Sequence, residues 1–207
     1  MLKLATDFFG QLFSASDSGA DERIFGLVEK RITDDMNTFL LKQFTEEDIF
    51  NVVKSMAPLK ALGTDGFPVI FFQRYWHFFG TEISKYCLDV LRGHSELEVI
   101  NKTHIVLFPK IENPKNLSHF RPISLCNVIY KIIAKVLVIR MSSMLGCCIN
   151  EAQRAFIPGR LISDNELLAY EVLHSLKMKK KRKHGNFALK LDMSKAYDRV
   201  EWDFWLV

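Results

Sequence analysis

Residues 187–192 read FALKLD, with Phe187, Leu189 and Leu191 on one face and Lys190 and Asp192 on the other. That alternation is the period of a half-buried strand. It constrains the fold more than any other run, because such a strand alone leaves an unpaired edge and half a core. Directly after it, Ser194 can cap a short helical turn through Lys195, Ala196, Tyr197 and Asp198. A carboxylate at a strand end, beside a change of backbone direction, is well placed to hold a divalent cation at a cleft. Spacing alone leaves two readings of Asp192, a metal ligand or an aspartate that starts a turn.

Upstream, helical patterns dominate. Residues 1–57 read as helical, interrupted by the polar loop ASDSGADE at 15–22. Thr45 precedes Glu46, Glu47 and Asp48, then Ile49, Val52, Val53 and Met56 recur at helical spacing. This predicts an N-cap with acids in the first turn and an amphipathic helix closed by Pro58. LGTDGFP (62–68) is a turn signal, and FFQRYWHFF (71–79) predicts a buried helix, with Phe71, Phe72, Tyr75 and Trp76 at core spacing. HIVLFP (104–109) predicts a short strand. Arg121-Pro122-Ile123-Ser124 leads into a long helix from about Val128 to Leu145, its apolar face including Ile132, Ile133, Val136, Leu137 and Val138. Pro158-Gly159 forces a turn, and Ser163 can cap a further helix to about Leu176. The expected class is α+β, mostly helical, with sparse strands.

Composition argues against disorder, with 48% hydrophobic and 25% charged residues. The formal charge of +4 is local in origin. Lys177, Lys179, Lys180, Lys181, Arg182 and Lys183 supply six of the 28 positive residues; the other 22 face 24 acids, a balance of −2. Cys87, Cys126, Cys147 and Cys148 form no CxxC pair and have no histidine at zinc-ligand spacing. They read as reduced, mostly buried thiols of an intracellular protein, nuclear or cytoplasmic. No signal-peptide pattern opens the chain, and Lys131, Lys135 and Arg140 interrupt its most apolar stretch, which argues against a membrane span.

LKLDMSKAYDRVEW (189–202) resembles the first catalytic block of reverse transcriptases from LINE-type (non-LTR) retrotransposons, particularly the plant members. The resemblance continues through QRAFIPGRLISDNELLAYEVLH (153–174), HFRPISLCNVIYKIIAKVLVIRM (119–141), NKTHIVLFPK (101–110) and MAPLKALGTDGFPVIFFQRYW (56–76). Five blocks in family order are spread over about three quarters of the chain. They imply an N-terminal fragment of a right-hand polymerase: a helical upstream region (1–57), fingers (58–186), and the first strand of an antiparallel palm sheet (187–207). Related elements commonly show KAPGPDG and QSAFIPGR where this chain has KALGTDG and QRAFIPGR, departures that lie outside the metal site.

The implied activity is RNA-directed DNA synthesis, with an RNA template, a DNA primer, dNTPs and two Mg²⁺ ions in the complete enzyme. By resemblance Asp192 is the catalytic metal ligand, aided by the backbone carbonyl of Met193. Tyr197 sits beneath the incoming sugar and rejects a 2′-hydroxyl. Arg160 lies over the triphosphate, and Arg121 is a second contact to nucleotide or template. An arginine fork suits triphosphate oxygens, although a local carboxylate is an equal partner for Arg121. Lys131 and Lys135 face either template phosphates or solvent. The run containing Lys179, Lys180, Lys181 and Arg182 is a solvated loop, a nucleic-acid contact or a nuclear-import signal. The chain has no YADD-like block, which in the family supplies two further aspartates, so these residues alone are expected to be inactive. The alternative expectation is a non-enzymatic nucleic-acid-binding remnant of a retroelement.

Overall fold

The computed structural model describes residues 2–14, 30–154, 157–178 and 187–189. Two compact units result: Ile32–Gly146, and the described residues up to Arg31 together with those from Cys147 onward. The larger unit begins with helix α2 (Asp34–Leu40), capped by the Thr33 hydroxyl, which accepts from Met36 N–H. Helix α3 (Glu46–Ser55) follows from the expected signal. The Thr45 hydroxyl accepts from Asp48 N–H, and the Asp48 carboxylate accepts from Thr45 N–H at 2.9 Å. Two amide groups at the helix start are thereby satisfied reciprocally. At the other end Gln73 Nε2 donates to the Val53 and Met56 carbonyls at 2.9 and 2.8 Å. A helix with both ends closed can bury Ile49, Val52 and Val53 without stranding backbone polar groups.

The aromatic segment forms two helices, α4 (Val69–Arg74) and α5 (Trp76–Leu91), separated by Tyr75 at φ −105° and ψ 18°. It is less buried than its spacing predicts. Phe72 enters the core and Phe71 and Trp76 pack half-buried against it, but Tyr75 is exposed, as are Phe78 and Phe79. The helix break turns part of the aromatic run outward.

Strand β1 (His104–Pro109) appears where expected. Its antiparallel partner β2 (Phe120–Leu125) does not follow from the sequence reading, which took Arg121–Ser124 as a lead-in to a helix. The register pairs Phe108 with Arg121, Leu107 with Pro122 and Val106 with Ile123. Pro122 donates no ladder hydrogen bond and is tolerated here because each strand of a two-stranded sheet has an open edge.

Helix α6 (Val128–Cys148) runs three residues beyond the expected end. Val128, Ile132, Ile133 and Val136 join the α3–α5 core, while Leu137 and Val138 lie exposed. Arg140 holds α6 to the segment after α2. Its guanidinium donates to the Leu40 and Gln43 carbonyls, each at 3.4 Å, and to the Lys42 carbonyl. The guanidinium carbon lies 3.3 Å from the Phe44 ring centroid, and Nη2 lies 3.8 Å from Asp48.

In the other unit, α1 (Leu2–Phe13) stacks Phe9 against Phe13, and Phe9 is buried. Helix α7 (Ile162–Met178) begins one residue before Ser163, which therefore lies inside the first turn and does not cap it. The described residues bear out an α+β, mostly helical class with one two-stranded antiparallel sheet. Of the strand expected at 187–192, Phe187–Leu189 carry no regular structure, and the rest lies outside the described residues. The thiols are less buried than expected: all four are free, Cys87 is buried, Cys126 and Cys148 are partly covered, and Cys147 is exposed. Among the described residues no helix is long and apolar enough to cross a membrane.

Candidate nucleotide and nucleic-acid site

Arg121 sits on β2 directly opposite Phe108, on the same face as Val106 and Ile123. It is exposed, as are those three apolar neighbours. The β1–β2 hairpin thus presents one guanidinium beside a small apolar strip. Lys110 lies at its far end, where its amide donates to the His119 carbonyl at 2.8 Å and its Nζ to the Ser118 carbonyl at 3.2 Å. These bonds close the connection between the strands.

Arg160 belongs to the other unit and is engaged by the backbone. Its Nη1 donates to the Asn150 and Gln153 carbonyls, both at 2.8 Å, and Nη2 to the Ile149 carbonyl at 3.5 Å. Gly159, at φ 78°, makes the turn that brings this fork back over residues 149–153. Asp164 stands in the first turn of α7, 3.9 Å from Arg154, and Asn165 Nδ2 donates to the Ala152 carbonyl at 3.2 Å. A helix start that already carries a carboxylate is less open to an anion than the sequence alone suggests.

Lys131 and Lys135 are both half-buried on α6. Lys131 Nζ donates to the Ala61 carbonyl, so its charge is held against the LGTDG turn. Asn127, which sequence reasoning did not single out, completes that attachment. Its Oδ1 accepts from the Thr64 hydroxyl at 2.8 Å and from Asp65 N–H at 3.3 Å. Gly63 packs so closely that a Cβ there would meet Asn127 backbone and side-chain atoms at 2.5–2.6 Å. The glycine was legible as a turn residue, but its partner lies more than sixty positions away and nothing local announces it.

Asp192, Met193, Tyr197, Lys179, Lys180, Lys181 and Arg182 lie outside the described residues. Among the described residues, no three His, Cys, Asp or Glu side chains gather closely enough to hold a metal ion.

Residues 111–206 match the protein family described as reverse transcriptase (RNA-dependent DNA polymerase). The matched span contains Arg121, Lys131, Lys135, Arg160, Asp192 and Tyr197. Over 206 residues, 97% of its length, the chain is 29% identical to the transposon TX1 uncharacterized 149 kDa protein of Xenopus laevis, of which it spans about 15%. From the hairpin connection through the FALKLD run and the turn after it, the chain is therefore similar to reverse transcriptases, and along nearly all its length to a transposon protein.

Proposed function

We propose that this chain is an N-terminal portion of a LINE-type reverse transcriptase, with residues 58–186 forming fingers and residues 187–207 opening the palm. The observation that carries this reading is the family match over residues 111–206, which runs through the aspartate and aromatic positions of the KLDMSKAYD block. The transposon relative supports the same assignment. In it, Arg121 on the exposed hairpin contacts the incoming nucleotide or template. Arg160 binds the triphosphate, exchanging at least one of its two 2.8 Å carbonyl bonds for phosphate oxygens. Tyr197 places a rigid ring where a ribose 2′-hydroxyl would stand, which selects deoxynucleotides by exclusion.

Asp192 and the Met193 carbonyl are hard oxygen donors of the kind magnesium takes, and two such groups fill only part of its octahedral shell. Two magnesium ions held there would activate the primer 3′-hydroxyl and steady the leaving pyrophosphate. With one carboxylate the pair cannot be organised, so these 207 residues bind nucleic acid without extending a primer.

Primer extension on an RNA template with Mg²⁺ and dNTPs, run beside an RNA-binding titration, tests both parts. The expected outcome is RNA binding with no incorporation. Template-dependent incorporation that disappears in Asp192→Ala overturns the inactivity. Failure to bind RNA or primer–template overturns the polymerase reading.

A further inference from the structure

Between the first turns of α3 and the middle of α5 lies a cavity of about 390 Å³, walled by Glu46, Glu47 and Phe50 on one side and Trp76, Gly80 and Ser84 on the other. We propose that it binds the guanidinium of an arginine side chain on a basic segment of a partner protein. The volume falls in the range of small-ligand sites.

Three features of the walls favour that ligand. First, both charged heads from α3 are carboxylates, which attract a cation and repel the phosphates of a nucleic acid. Second, Phe50 and Trp76 stand together with ring centroids 5.9 Å apart, tilted by 41°. Lys54 Nζ already lies 6.0 Å from the Phe50 centroid, so that ring has a cation beside it in the structure. The indole keeps its place because Gly80, one turn along α5, has no side chain; a Cβ there would come within 2.5 Å of Trp76 Nε1. Third, Ser84 is 3% exposed, the one buried polar side chain among the described residues, and lines the cavity. Its hydroxyl makes no hydrogen bond to another described residue and borders the open cavity, where an N–H could reach it.

Arginine answers all three features together. Its planar fork can donate to a carboxylate, its flat face can lie against an aromatic ring, and a further N–H can reach a hydroxyl oxygen. Lysine offers a point charge without the plane. The neighbouring cavity of about 400 Å³ shares Glu46 but adds Lys85, Asp89 and Arg92, a mixture that selects neither sign.

The test uses the full chain and two peptides, one carrying a central arginine and the other citrulline, which keeps the shape and loses the charge. Calorimetry and tryptophan fluorescence should show the arginine peptide binding about tenfold or more tightly than the citrulline peptide. Glu46→Gln with Glu47→Gln should remove most of that preference. Ser84→Ala should weaken binding without lowering stability, since no bond is lost in the free protein. Trp76→Phe should abolish the fluorescence response. Equal affinity for the two peptides, undiminished binding in the double glutamine variant, no binding at millimolar peptide, or a preference for a mononucleotide would each overturn the proposal. None of these outcomes bears on RNA binding, so the inference and the polymerase reading fail separately.

Discussion

Cys87 is packed within the α3–α6 core, and burial pushes its thiol from the ordinary 9.0 up to about 12. Desolvation penalises the thiolate, so the folded chain keeps the proton where an unfolded chain releases it. The sign follows directly. Below about pH 9 both states are protonated and the thiol adds no pH dependence; above it the unfolded state binds fewer protons, and stability falls until about pH 12. Denaturant titrations between pH 8 and 10.5 should therefore show a steeper alkaline loss in the native chain than in Cys87→Ala, which lowers stability at neutral pH through the lost packing. Parallel pH profiles would show that the thiol is solvated. Thiol labelling gives a second readout: exposed Cys147 should react first and Cys87 only on unfolding. The sequence established four unpaired thiols; which of them is buried depends on how α5 and α6 meet, and no single-residue pattern encodes that.

Where local chemistry closes a segment on itself, the elements were legible. Thr45 and Asp48 announce α3 because both halves of the capping box lie within four residues. β1 was visible as a β-rich run, whereas β2 was hidden by Pro122, which reads as a strand breaker until its open edge is known. Arg160 was read as a phosphate ligand by family resemblance, and the structure shows its fork engaged by carbonyls of a turn the sequence could not close. The KALGTDG turn shows the same limit: its glycines were apparent, its seat on α6 was not. That seat predicts an unequal pair of variants. Gly63→Ala forces a Cβ against Asn127 backbone atoms that cannot swing away, with an expected cost of about 1–3 kcal/mol. Asn127→Ala removes two hydrogen bonds, each worth about 0.5–1.5 kcal/mol. In the double variant the costs should fall short of their sum, because the sites touch. Strict additivity in urea unfolding would show that the turn does not rest on α6.

For the molecule as a whole, charge distribution matters more than net charge. Outside residues 177–183 acids outnumber bases, 24 against 22, so a generic basic surface cannot supply affinity for a polyanion. If this chain holds RNA, attraction must come from local sources: the hairpin arginine, Arg160, and the run through Lys179, Lys180, Lys181 and Arg182. The run has the greater density of charge, and each phosphate it neutralises releases condensed counterions. Single-stranded RNA yields a slope of about −0.7 in log affinity against log salt per neutralised phosphate. Replacing those four residues by glutamine should weaken RNA binding most at low salt and flatten the slope by up to about 3. Arg121→Gln should flatten it by less than about 1, since one guanidinium meets one phosphate at most. The ratio of the two effects discriminates between sources. A slope unchanged by the fourfold replacement assigns the run to solvent or to nuclear import, and leaves Arg121 and Arg160 as the candidate nucleic-acid contacts. A slope that collapses makes the run just before Asp192 the main electrostatic grip on the template.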